Sequence, residues 1–242
     1  MFGFRPRRAA PPTILALAER DVPLRVRQSE RARRITLRID AAAESIELVL
    51  PKRVSLAAGL RFLDSRRDWV AANLAEMPER IAFVDGAIVP VLGRPHHIRH
   101  LGERIPGLRT VAIGEGEIRV VGAAPHVPRR VRDHLIALAR QELSRRARDV
   151  AGRIDRRVTR ITVRDTKSRW GSCSASGALA FSWRLILAPE PVLDYVVAHE
   201  VAHLAEMNHG PRFWRLVDTL APDAADQRSW LSDNRARLLR YG

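Results

Sequence analysis

The chain has one cysteine, Cys173, in 242 residues. No intramolecular disulfide can form, and such sparing use of cysteine suits a reducing compartment. Lysine is nearly absent as well: Lys52 and Lys167 are the only two, so arginine supplies the other cations. No apolar run reaches the length needed to cross a bilayer. Near the N-terminus Arg5, Arg7 and Arg8 precede a short apolar stretch, Thr13 to Ala18, which Glu19, Arg20 and Asp21 close without a cleavage site. A cytoplasmic protein with no membrane partner is expected. A glycine-rich phosphate loop of the Walker type is missing too.

What is present is a chain that is 46% hydrophobic with a net charge of +15, long enough for one large or two small domains. The basic groups are shared evenly between the two halves, with no basic tail or localised patch of the kind that marks a nucleic-acid binder. Arginine in place of lysine, with abundant alanine, fits a compositional bias. A solvated basic surface is the expectation, with an acidic substrate or a nucleic-acid-associated target as the alternative.

Residues 1–20, with Pro6, Pro11 and Pro12, read as a disordered segment. Residues 21–125 read as a β-rich region carrying one helix. Ile35, Leu37 and Ile39 alternate with polar residues, as do Ile46, Leu48 and Leu50, which predicts a hairpin with one buried face. Leu56, Leu60, Leu63, Val70 and Leu74 recur at helical spacing between Ser55 and Met77, and Pro78 ends that helix. Short strands follow to Val121, punctuated by Gly93, Gly102, Gly107, Gly114 and Gly116. Residues 126–242 read as a second domain. An Arg-rich amphipathic helix over 129–150 turns Val131, Leu135, Leu138 and Leu143 inward. Strands from Val158 to Val163 and from Leu179 to Leu187 precede an apolar helix opened by Pro189 and Pro191. Asn208 and Gly210, which accept left-handed backbone angles, are expected to end it. Helical stretches from Phe213 to Leu220 and from Asp226 to Leu239 complete an α+β pattern.

The apolar helix contains His199-Glu200-Val201-Ala202-His203, with His209 beyond it. Random placement of the chain's 8 histidines and its glutamates would give the five-residue pattern about 0.014 times, so chance does not account for it. Histidines four residues apart project from one helix face, and both can reach one ion at roughly 2.0–2.1 Å for zinc. A turn after the helix can bring His209 to the same ion, leaving a fourth position open as catalytic sites do. Glu200 points about 100° around the helix from His199, where it can act as general base on bound water. The alternative is a set of merely buried, hydrogen-bonded histidines. It leaves polar groups among Val196, Val197, Val201, Ala202 and Leu204, which is costly unless they are ligated. Glu206 is a rival third ligand on nearly the same face, but on a straight helix it lies too far up the axis.

A second cluster precedes the helix: Arg164-Asp165-Thr166-Lys167-Ser168-Arg169-Trp170-Gly171-Ser172-Cys173. With Pro189, the run Asp194-Tyr195-Val196-Val197-Ala198-His199-Glu200, and then Asn208-His209-Gly210-Pro211 and Phe213-Trp214, the chain resembles the YgjP-like metallopeptidase family. That family is related to the WLM and SprT-like zinc proteases. The resemblance is strongest over residues 130–235. It implies a zincin-like metallopeptidase domain holding one Zn2+ on His199, His203 and His209, with Glu200 as the catalytic base. Metzincins share the histidine spacing but have glycine where this chain has Glu206. Some members of the family carry a UTP pyrophosphatase label, and a SprT-like role at DNA-associated proteins is a further possibility that the resemblance raises.

Around the motif, Arg169 and Trp170 are candidates for substrate binding, with a structural turn as the equal alternative, Gly171 permitting unusual backbone angles and Trp170 filling a core gap. Tyr195 can donate to an oxyanion or pack beneath the site. Cys173 reads as a small buried hydrophobe. His96, His97 and His100 read as surface histidines on a strand, and Phe213 and Trp214 as packing for the helix after the motif. The expected activity is hydrolysis of a peptide or protein substrate by Glu-activated, zinc-bound water.

Overall fold

The computed structural model describes residues 13–17, 21–40, 43–103 and 109–242. They divide into two compact units, Met1–Pro78 and Glu79–Gly242.

The first unit is built on a four-stranded sheet. β1 (Thr13–Ala16), β2 (Asp21–Ser29), β3 (Thr36–Asp40) and β4 (Ser45–Pro51) lie in the order β1-β2-β4-β3. The predicted hairpin is β3–β4, with Ile39 opposite Ile46 and Leu37 opposite Leu48. β4 also pairs in parallel with β2, so these two strands have neighbours on both sides. Its Ile46, Leu48 and Leu50 are fully buried. The helix expected from Ser55 to Met77 is two helices, α1 (Leu56–Asp64) and α2 (Arg67–Ala75). Ser55 caps the first by accepting the amide of Ala58 at 3.2 Å. The break falls at Ser65, whose hydroxyl bonds back to the Phe62 carbonyl at 2.8 Å. Leu63, Val70 and Leu74 still face the sheet.

The second unit starts with a sheet of the same design. β5 (Ile88–Val91), β6 (Arg94–His100), β7 (Val111–Gly114) and β8 (Glu117–Val120) lie in the order β5-β6-β8-β7, again two antiparallel hairpins joined by a parallel pair of second strands. α3 (Val127–Arg153) follows and runs about 40 Å. Val127, Val131, Leu135, Ala139, Leu143, Ala147 and Ala151 form its buried ridge at every fourth residue. β9 (Arg160–Arg164), β10 (Gly171–Cys173) and β11 (Ala178–Ser182) make a small sheet in the order β10-β11-β9. A buried 3-10 turn, Trp183–Leu187, leads into α4 (Glu190–Ala202), and α5 (Pro211–Leu220), α6 (Ala224–Asp233) and α7 (Arg235–Leu238) close the chain.

Several expectations are corrected. The unit boundary lies after Pro78 rather than at 125/126, because β5–β8 share one continuous core with α3 and α4. Within the segment expected to be disordered, residues 13–16 form β1; residues 1–12 and 18–20, with Pro6, Pro11 and Pro12, lie outside those described. The strand drawn from Leu179 to Leu187 ends at Ser182, since a largely apolar run does not distinguish strand from buried turn. His96 is buried, its ring Nδ1 2.8 Å from the Arg94 carbonyl. It is not a surface histidine. The architecture is mixed α/β, and among the described residues no helix is long and apolar enough to cross a membrane.

Two contacts set the position of the N-terminal part of α4. At its start, the two-residue turn between β5 and β6 uses Leu92 and Gly93, both with positive φ. A Cβ on Gly93 would stand 2.8 Å from the Pro189 Cα, so only glycine lets this hairpin abut the helix start. One turn in, Arg146 of α3 is nearly buried and binds Asp194 at 2.6 Å, Glu142 at 3.3 Å, and Glu190. Three carboxylates on two helices thus share one planar guanidinium, whose fork of donors suits that geometry.

Candidate metal centre

α4 carries His199 on its last full turn and ends at Ala202, with His203 as its cap residue, still at helical angles. The helix stops earlier than expected, and neither Asn208 nor Gly210 takes a positive φ. The chain turns over residues 203–205, and Gly210 with Pro211 opens α5 immediately after His209. This brings the third imidazole back over the first two. One ring nitrogen from each of His199, His203 and His209 lies within 4.8 Å of the others, and the Nε2 atoms of His199 and His209 are 3.3 Å apart. The three rings could hold a metal ion.

Their surroundings are arranged for this. Phe213, fully buried at the start of α5, lies 4.5 Å from the His203 ring, 4.7 Å from His209 and 5.0 Å from His199 between ring centres. It forms an apolar floor under all three. His203 places Nδ1 3.1 Å from the Glu206 carbonyl, which commits that nitrogen as donor and leaves Nε2 free as a ligand. The Trp214 indole N–H donates to the His209 carbonyl at 3.1 Å and so pins the turn. Burial, then the His203 and His209 rings and Arg228, hold His199 down to about 4; burial also lowers His203. These two rings are therefore neutral at pH 7 with lone pairs available, and a divalent cation fits a set of neutral imidazoles. The acid side chain of Glu206 is outside the cluster, and only its backbone contributes.

Glu200, 6% exposed, faces the opposite strand. Burial pushes its carboxyl up to about 7, against the pull of Arg169. A Cβ on Gly171, the first residue of β10, would lie 2.5 Å from both Cγ and Oε1 of Glu200. Gly171 does not have a positive φ. Its role is to leave room for the glutamate rather than to bend the chain.

A cleft of about 410 Å³ opens beside this pair. All three residues marked for substrate binding line it: Arg169, Trp170 and Tyr195. Trp170 also packs against the core, and its carbonyl accepts the Ser182 amide at 2.8 Å, so it has a structural role as well as a place on the cleft wall. The loop that carries Arg169 and Trp170 is held by Asp165, which binds Arg132 at 2.7 Å and the buried Arg184, and by the Thr166 hydroxyl on the Arg169 carbonyl at 2.9 Å. Tyr195 is buried one turn before His199, with its ring centre 6.0 Å from the imidazole. Two further arginines line the cleft, Arg228 of α6 and Arg235 of α7. Sequence reasoning missed them, since they sit on a polar helix without a local motif. Cys173 is half-buried and away from the imidazole cluster, and burial, with Glu200 nearby, pushes its thiol up to about 11.

A His-Glu-x-x-His helix whose two imidazoles meet a third from the following turn is the pattern that metallopeptidase sites use. The chain belongs to the YgjP-like family: the model of the YgjP-like metallopeptidase domain matches residues 33–234. Among solved structures, the metallopeptidase zymogen of Pyrococcus abyssi abylysin aligns over 38% of this chain and 92% of its own, at 22% identity and a TM-score of 0.33. No curated protein matches.

Proposed function

We propose that the chain is a zinc-dependent, zincin-like peptidase in which His199, His203 and His209 hold one ion and Glu200 is the general base. The observation that carries this reading is the convergence of the imidazoles beside a buried glutamate at the edge of a cleft. Two nitrogens on a tetrahedral zinc stand about 3.3–3.4 Å apart when each bond is about 2.0–2.1 Å, and the His199–His209 pair is already at 3.3 Å. Zinc bound there supplies a Lewis acid and lowers the pKa of its water to roughly 7. Glu200 takes a proton at its carboxylate, holds it away from bulk water, and returns it to the leaving amine nitrogen. Tyr195 offers a hydroxyl to the oxygen on which charge develops. Trp170 and Val196 supply apolar walls that orient the peptide. The substrate is a peptide or protein, and the single cysteine suits a cytoplasmic setting.

The test is metal analysis followed by assays on casein and on nucleoside triphosphates. Wild type is expected to hold one zinc and cleave casein. Glu200→Gln should keep the zinc and lose at least about 100-fold in kcat. Full activity in that variant removes Glu200 as the base. Hydrolysis of the triphosphate with casein left intact would replace the peptidase reading with a nucleotide pyrophosphatase.

A further inference from the structure

The cleft beside Glu200 carries more positive charge than its one carboxylate balances. Three of its lining residues are arginines, on three separate segments: Arg169 before β10, Arg228 on α6 and Arg235 on α7. Glu200 is the one carboxylate among the lining residues. Some arginines of the same unit are paired: Arg132 and Arg184 with Asp165, Arg145 with Glu142, Arg146 with Asp194. Among the described residues none of the three cleft arginines forms such an ion pair.

They are nevertheless held in place. Arg235 donates from Nη2 to the Lys167 carbonyl at 2.7 Å, which ties it to the loop bearing Arg169. A guanidinium has five N–H donors, so most of this one remains unspent. The Arg228 guanidinium lies 5.9 Å from the centre of the Trp214 ring, and Trp214 is fixed by its bond to the His209 carbonyl. Neither partner neutralises the charge. The walls between the arginines include Trp170, Val196 and Leu231, and apolar walls focus the field of like charges into the cleft. Guanidinium groups match carboxylates in bidentate geometry. The cleft is lined at the same time by His199 and Glu200, so an anion bound there belongs to a substrate whose reacting bond is close by.

We propose that Arg169, Arg228 and Arg235 form a specificity subsite for a substrate carboxylate, directing cleavage to peptides with Asp or Glu beside the scissile bond. This rests on the peptidase reading above. A side-chain carboxylate and the terminal carboxylate of a peptide share the same chemistry, and the choice between them is made by experiment.

Matched peptides with both ends blocked, one with Glu and one with Gln next to the scissile bond, are assayed with the zinc-loaded full chain. The Glu peptide is expected to have a kcat/KM about tenfold higher at low salt, the preference shrinking as salt screens it. In Arg228→Gln the ratio should fall by about three- to tenfold. In Arg140→Gln, the same charge change on the exposed face of α3, the ratio should hold. Equal rates for the two peptides, or the same fall in both variants, overturn the proposal. So does a preference that appears only when the peptide end is a free carboxylate. The two peptides are also titrated against Glu200→Gln by fluorescence anisotropy. Tighter binding of the Glu peptide with no cleavage of either by wild type keeps the subsite and defeats the peptidase reading. Cleavage of both without preference does the reverse.

Discussion

The two units of this chain use one sheet design for different ends. β1-β2-β4-β3 and β5-β6-β8-β7 have the same order and the same strand directions. In the first, the sheet is covered by α1 and α2, and Ser45 is the one buried polar residue among those described. In the second, the sheet backs a longer helix to which α4 is fastened, and the buried polar residues include Arg146, Arg184 and Glu200. An apolar core needs no partners beyond shape. A buried charge needs partners or a task; Arg146 and Arg184 are partnered, and general-base catalysis is the task proposed for Glu200. The sheet is scaffold in both units, and the chemistry comes from what is packed on it.

Removing the metal gives the largest separation between the units. His203→Ala should lose both bound zinc and all measurable peptide hydrolysis, and chelation of wild type should do the same. Ligand binding stabilises only the state that binds it. Hydrogen exchange after chelation should therefore quicken in α4 and α5 and stay unchanged in β1–β4. Faster exchange in β2 and β4 would show that the first unit also depends on the ion.

Two glycines sharpen the contrast. A Cβ at Gly59 of α1 would come within 2.4 Å of the Leu50 side chain, and one at Gly171 within 2.5 Å of the Glu200 carboxylate. If Glu200 is the base proposed above, Gly171→Ala should cut kcat by more than about tenfold, because a small displacement of a catalytic group is expensive. Gly59→Ala should leave kcat alone. Overpacking costs about 1–3 kcal/mol and the helix gains about 1 kcal/mol from alanine, so urea unfolding should show a small net loss. Normal kcat in Gly171→Ala would mean that the glutamate has slack that the structure does not show.

Ion pairs supply the next comparison. Arg146 is 10% exposed and Arg27, bound to Glu47, is 51% exposed at the side chain. Arg146→Met leaves Glu142, Glu190 and Asp194 facing one another, and should cost roughly 1–3 kcal/mol in denaturant melts. Arg27→Met should stay within about 0.5 kcal/mol. Similar costs for the two would contradict the anchoring role given to Arg146.

The smallest effect concerns Cys173. With its thiol raised to about 11, it stays protonated at pH 8, and only the thiolate reacts. Alkylation by iodoacetamide in the folded protein should be slow at pH 8 and keep rising to about pH 11. In the denatured chain it should level off near the ordinary thiol value of about 8.5. Rapid labelling at pH 8 in the fold would reveal a thiolate and reopen a chemical role for this residue.

What could be read from sequence follows the range of the interactions. The grouping of His199 and His203 was legible because one helical turn fixes their separation, and that of His209 because it follows closely enough for a turn after the helix to bring it back. The β3–β4 hairpin was legible from strict alternation. The boundary at Pro78 was not, since both flanking sheets show the same alternation and only the shared core separates them. Arg228 and Arg235 reach the cleft through tertiary packing and leave no local pattern. Gly171 was noticed for the wrong reason: backbone freedom is a property of the residue, whereas its use here depends on Glu200, a side chain 29 positions away. Burial of His96 was hidden because a histidine on an alternating strand reads as polar.

The central claim is that three imidazoles hold one ion next to Glu200. Crystals grown with zinc, with diffraction recorded on both sides of its absorption edge, test it most directly. The account predicts one anomalous peak about 2.0–2.1 Å from a ring nitrogen of each of His199, His203 and His209, with a fourth position open toward the cleft. A peak held by Glu206 in place of His209, or none at the three histidines, would contradict it.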